Sequence, residues 1–131
     1  MNFRFAAMGA LLLLAACASS QPIYDVPSHP VPTAAQSLSL ERIESAIVDA
    51  GKTRNWRFER VSLGTLHASQ VQQKYSAEVE IVFNAKTFSI RHLSSTGMNE
   101  TGNMVHPHYN MWVHNLEHDI ETYLINAPLS R

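Results

Sequence analysis

The sequence predicts an α+β fold: an antiparallel three- to four-stranded meander flanked by an N-terminal and a C-terminal helix, packed as a two-layer sandwich. Two observations lead there. Apolar residues at helical spacing bracket the middle of the chain, and between them hydrophobicity alternates with period two. Each helix then carries one apolar stripe and the sheet one apolar face, and these surfaces bury each other.

The first helix is expected at residues 39–50. Leu40, Ile43, Ala46, Ile47 and Ala50 follow the i, i+3, i+4, i+7 spacing of an amphipathic helix. Ser37 or Ser39 supplies a capping oxygen, and Gly51 stands where a left-handed C-cap residue belongs. Trp56 and Phe58 then alternate with Arg57 and Glu59 as a strand, and residues 65–71 form a weaker one after Leu63-Gly64. The clearest half-buried strand follows, with Tyr75, Ala77, Val79, Ile81 and Phe83 alternating with Ser76, Glu78, Glu80 and Val82. Asn84-Ala85-Lys86 makes a turn, and Phe88, Ile90 and His92 mark the hairpin partner. Residues 94–103, with Gly97 and Gly102, read as a polar connection. Pro107 suits the first position of the second helix, because its missing amide is an orphan there. Tyr109, Trp112, Val113, Leu116, Ile120, Tyr123 and Leu124 form its stripe, and Pro128 lies just past its end.

Between residues 18 and 37 the chain carries Pro22, Pro27, Pro30 and Pro32. Closely spaced prolines remove amide donors and favour extended geometry, so this stretch reads as a linker. The other reading is an irregular strand packed on the domain through Ile23, Tyr24 and Val26.

Cys17 is the single cysteine, and it follows an apolar run at residues 5–14 that is preceded by Arg4. The run is too short to span a bilayer, which needs ~20 apolar residues. Small residues Ala15 and Ala16 stand immediately before Cys17. The string Leu14-Ala15-Ala16-Cys17 resembles the lipobox of bacterial lipoprotein signal peptides. That resemblance implies removal of residues 1–16, a diacylglycerol on the Cys17 thiol, and an acyl chain such as palmitate on the new amino terminus. It implies a chain held on the membrane through covalent lipid. Ala18, where an aspartate would retain such a protein in the inner membrane, implies the outer membrane with the domain facing the periplasm. Each buried methylene contributes ~0.8 kcal/mol, so two or three chains on one cysteine make a lasting anchor.

The organisation expected is therefore a signal peptide at 1–16, the lipidated cysteine and Pro-rich linker at 17–37, an α+β domain at 38–127 and a tail at 128–131. The segment His106-Pro107-His108-Tyr109-Asn110-Met111-Trp112, continuing to Leu116 and Glu117, is also similar to a motif closing small uncharacterised proteobacterial lipoproteins. That likeness implies fold and location and carries no activity.

Losing residues 1–16 removes Arg4 and no acid, leaving 10 − 1 = 9 basic against 11 acidic residues, about −2 with neutral histidines. Such a balance argues against nucleic acid as a partner, since phosphate binding wants a basic excess. A lone, lipidated cysteine leaves no thiol for a disulfide, a thiolate nucleophile or a zinc–cysteine site.

Three strings bear on chemistry. His114-Asn115-Leu116-Glu117-His118 spells the H-x-x-E-H of some zinc peptidases. The helical wheel puts both histidines opposite the apolar stripe, in water, so the string reads as a solvated face. Met98, Met104, His106, His108 and Met111 fall within fourteen residues, and thioether with imidazole suits copper. His106, His108 and Met104 are the candidate ligands; otherwise His106 caps the helix and the methionines pack. Lys52, Arg54, Arg57 and Arg60 interleave with Trp56 and Phe58, which suits anionic lipid headgroups, or else a solvated strand face with Trp56 in the core. No nucleophile elbow, Gly-rich phosphate loop or cofactor motif occurs. These features together point to a non-enzymatic structural or interaction module that docks an envelope protein or glycan through the exposed side of the sheet or the 94–106 loop. The alternative is a periplasmic metal- or small-ligand-binding module.

Overall fold

The computed structural model describes residues 20–130. The signal-peptide string, Cys17 and Ala18 lie outside the described residues. In chain order the elements are β1 (Gln21–Pro22), β2 (Val26–Pro30), α1 (Leu40–Lys52), β3 (Arg57–Ser62), β4 (Thr65–Gln72), β5 (Tyr75–Phe83), β6 (Thr87–Thr96), β7 (Met104–Val105) and α2 (Pro107–Asn126). Short 3₁₀ turns occupy Thr33–Ala35 and Ala127–Leu129.

Helix α1 starts where a side-chain oxygen can replace a missing carbonyl: Ser39 Oγ accepts the Arg42 amide at 3.2 Å. Its apolar stripe is buried at Ile43, Ala46, Ile47 and Ala50. Gly51 corrects the expected boundary, because it lies inside the helix rather than at a left-handed cap. A methyl group there would overlap the Phe58 ring, so the glycine permits a strand to approach the helix closely. Helix α2 begins at Pro107 as expected, and Tyr109, Trp112, Val113, Leu116, Ile120 and Leu124 are buried along it. Tyr123, also placed on that stripe by spacing, is 37 % exposed.

Strands β3 to β6 run as a consecutive antiparallel meander, and β2 adds to the free edge of β6, giving the order β2-β6-β5-β4-β3. The α+β class stands, with a fifth strand that the linker reading did not anticipate. Val26 pairs with Ile90 and Pro30 with Thr87, while β1 pairs with β7 in a separate ribbon. Residues 21–37 are thus part of the fold, which corrects the Pro-rich linker and the domain start at residue 38. The physical reason is position: prolines are tolerated on an edge strand, where a missing N–H need not break a ladder. Val26 and Val31 are buried, with Ile23 and Tyr24 packed on the same core.

Strand β6 extends to Thr96, so residues 94–96 are strand rather than loop; Ser94 pairs with Glu78 and Thr96 with Ser76, beyond a register shift between Glu78 and Val79. Leu66, Ala68, Val79, Ile81, Phe88 and Ile90 are buried in one cluster with the stripes of both helices. The helices therefore share one face of the sheet, and the other face is bare. Among the described residues no helix is long and apolar enough to cross a membrane.

Candidate functional site

The N-terminal segment is latched to α2. Asn110, 8 % exposed, accepts the Tyr24 amide at 2.9 Å through Oδ1 and donates through Nδ2 to Pro22 O at 2.9 Å and Gln21 Oε1 at 3.1 Å. Two turns further, the Tyr24 hydroxyl donates to Glu117 Oε1 at 2.6 Å, and His29 Nδ1 lies 2.7 Å from Glu117 Oε2. The Tyr24 ring stacks on His114 with centroids 3.7 Å apart. Burial pushes the Glu117 carboxyl up, but the hydrogen bonds from Tyr24 and His29 and the charges of His29 and His114 outweigh it and hold it below its ordinary value. The same carboxylate, first as hydrogen-bond acceptor, together with burial, pushes the Tyr24 hydroxyl up to about 12. These contacts take up the H-x-x-E-H string. Glu117 is engaged by the segment, His114 is stacked, and His118 is exposed.

At the start of α2 the two candidate metal-binding histidines do meet. His106 is the N-cap, its Nδ1 accepting the His108 amide at 3.1 Å, and the two Nδ1 atoms lie 3.1 Å apart. Tyr75 stacks on His108 at 4.8 Å, with Lys74 Nζ 5.4 Å from the Tyr75 ring centre. Met104 sits opposite Pro22 in the β1–β7 ribbon. Met98 is 1 % exposed, packed as a core residue, whereas Met111 is 49 % exposed on the helix surface. Among the described residues no three His, Cys, Asp or Glu side chains group as metal ligands.

The bare sheet face is charged. Register places Glu59, His67, Glu80 and Arg91 in one row across four strands. Glu80 accepts from Arg91 at 2.8 Å and lies 3.0 Å from His67 Nε2, contacts that hold its carboxyl below the ordinary range, His67 contributing most. Beside this row Arg57, Glu59, His67, Ser69 and Glu78 line a shallow depression of about 260 Å³. Exposed Val61, Leu63 and Val82 lie toward the β3–β4 turn.

The loop between β6 and β7 forms its own polar cluster. Glu100 Oε1 accepts from Ser95 at 2.7 Å and lies 2.6 Å from His92 Nε2, off the direction of a hydrogen bond. Beneath it the fully buried Tyr109 hydroxyl has no partner among the described residues; burial, then the charges of Asp25 and Glu100, hold its proton on.

Two of the four residues of the basic run are paired within the fold, and Lys52 and Arg57 are exposed. Arg54 Nε donates to Asp119 at 2.6 Å, and Arg60 forms a two-pronged pair with Glu44 of α1. Trp56 is 2 % exposed and meets Trp112 edge to face at 6.4 Å, so it packs in the core instead of reaching an interface. Sequence spacing could not show the partners Glu44 and Asp119, which come from the two helices. No protein-family model, curated protein or solved structure matches this chain.

Proposed function

We propose that this chain is a membrane-anchored envelope lipoprotein of unassigned activity, a non-enzymatic structural and interaction module at the outer membrane, held by lipid on Cys17. The reading of the domain rests on one observation: both helices cover the same side of the sheet, leaving a five-stranded face whose charged row is fixed by its own ion pairs. A polar, uncovered sheet suits docking of another envelope component. The anchor adds a geometric constraint. Three residues lie between Cys17 and Gln21, and an extended chain covers at most about 14 Å over those four steps. The β1–β7 ribbon and the start of α2 would then lie near the bilayer.

Photo-crosslinking in intact cells tests the docking surface. A crosslinker at Ser69 or Ser89, on the bare face, should give one defined envelope adduct, and one at Glu41 or Ser45 on α1 should not. Equal adducts from both surfaces, or none from the sheet, would remove the support.

The second reading is a metal- or small-ligand-binding module at His106, His108 and Met104. Its support is that the two imidazoles stand side by side, ring centroids 4.8 Å apart; with His106 Nδ1 engaged by the His108 amide, a metal ion would be held by His106 through Nε2. Copper and zinc titration, followed through the histidine ring resonances, decides it. Selective shifts of His106 and His108 at micromolar metal would support the module, and unmoved rings would end it.

A further inference from the structure

Around the α1–β3 turn lie two clefts, of about 640 and about 260 Å³, that share Asn55 in their linings. Their chemistry differs from the rest of this net-acidic chain. Lys52, Arg54 and Arg57 contribute three cations to the linings, and among the described residues no carboxylate lines either cleft. Arg54 is neutralised by Asp119 behind it, which leaves Lys52 and Arg57 as the exposed cations, Arg57 also bordering the sheet-face depression that Glu59 and Glu78 line. Amides supply most of the remaining polarity: Asn55, Gln70, Gln72 and Asn115. Each amide offers both donors and an acceptor, the pairing that neighbouring sugar hydroxyls require. Gln70 is only 6 % exposed.

The floor of the clefts supplies a further observation. Trp56, 2 % exposed, lines the larger one, and its indole N–H is buried without an acceptor among the described residues. Trp112, 6 % exposed, lines the smaller cleft. With both ring faces covered, neither tryptophan offers the stacking platform that nucleobases use.

We propose that these two neighbouring clefts bind an acidic saccharide, a sugar bearing a carboxylate or phosphate, with Lys52 and Arg57 on the anion and the amides of Asn55, Gln70, Gln72 and Asn115 on the hydroxyls. This deepens the interaction-module reading by naming a ligand class. It is independent of lipidation at Cys17, and although Arg57 borders the bare sheet face, Lys52 and the amides of Asn55, Gln70, Gln72 and Asn115 do not line that face's depression, so a sugar response and a crosslink at Ser69 or Ser89 fail separately.

The chain contains two tryptophans, and both line this site, so intrinsic emission reports on it directly. The full chain in non-ionic detergent is titrated with the disaccharide of N-acetylglucosamine and N-acetylmuramic acid, with glucosamine 1-phosphate, with neutral diacetylchitobiose, with inorganic phosphate and with phosphatidylglycerol vesicles. A saturable change with one of the acidic sugars at about 1 mM or below supports the site, and which acid responds identifies the source. Combining Lys52→Gln with Arg57→Gln, both exposed positions, should weaken that response at least about tenfold, whereas Lys86→Gln on the distant β5–β6 turn should leave it unchanged. Raising salt should weaken it in the unaltered protein as well. An equal response to the neutral disaccharide, an equal response to phosphate alone, a response confined to vesicles, or no saturable change with either acidic sugar would each overturn the proposal.

Discussion

Replacing Glu117 by Gln removes the charge that holds the N-terminal segment to α2 while keeping the size and shape of the side chain. Glu117 accepts from Tyr24 at 2.6 Å and faces His29 at 2.7 Å, with its own side chain 17 % exposed. Hydrogen bonds to a charged group contribute roughly 1.5–3 kcal/mol, and partial exposure moves this pair toward the lower end. The expected loss is about 1.5 kcal/mol, close to a tenfold change in the folding equilibrium. In urea this displaces the midpoint downward by about 1 M for a domain of this size. Tyr24→Phe should be coupled to Glu117→Gln by about 1 kcal/mol in a double-mutant cycle, since the two share one bond. The pH dependence has a definite sign. Glu117 sits below its ordinary value of 4.5 in the folded protein, so its contribution is complete above pH 4.5 and is lost as pH falls through the lower folded value. The gap between the parent and Glu117→Gln should therefore be full at pH 7 and close under strongly acidic conditions. Identical midpoints at pH 7, or a gap unchanged in acid, would refute the latch.

The remaining expectations concern buried groups. Asn110→Ala removes three hydrogen bonds to residues 21–24 and should cost about 2 kcal/mol, with the Ile23 and Tyr24 amides exchanging markedly faster; exchange equal to the parent would count against the segment being held there. Tyr109→Phe deletes a buried hydroxyl that has no partner among the described residues, so it should raise stability by about 1 kcal/mol, seen as a higher Tm, where a fall would show that the hydroxyl is bonded. Gly51→Ala sets a helix-propensity gain of about 1 kcal/mol against overpacking of roughly 1–3 kcal/mol by Phe58. A net loss in urea is expected, and Phe58→Leu in the same chain should turn it into a gain. If Gly51→Ala alone already stabilises the protein, the close approach is not tight.

How far the sequence carries depends on how local each cause is. Helix α2 and strand β5 are legible because their apolar residues repeat at the period of one element, with Pro107 marking a start. The end of α1 is not, because glycine serves equally as a left-handed cap and as a point of close contact, and only Phe58, from another element, selects between them. Residues 94–96 are polar throughout and give no alternation, so the last residues of β6 look like loop. The Pro-rich segment misleads because prolines report what a backbone lacks, not whether an edge is waiting for it. Its anchors, Asn110 and Glu117, lie 86 to 93 residues away along the chain. Of the candidate site residues, His106 and His108 are recognisable as neighbours because they stand two positions apart. The cleft at Asn55 gathers α1, β4 and α2, and no short window of sequence contains all three.

The proposed membrane anchor is decided by what is attached to the sulfur of Cys17. Intact-mass analysis of the membrane-extracted protein, beside a Cys17→Ser variant and with labelled fatty acid in the medium, measures it directly. The expected result is a chain beginning at Cys17, heavier by a diacylglyceryl group and an acyl chain, with the variant unlabelled and still carrying residues 1–16. An unmodified cysteine on protein recovered from the soluble fraction would contradict the account.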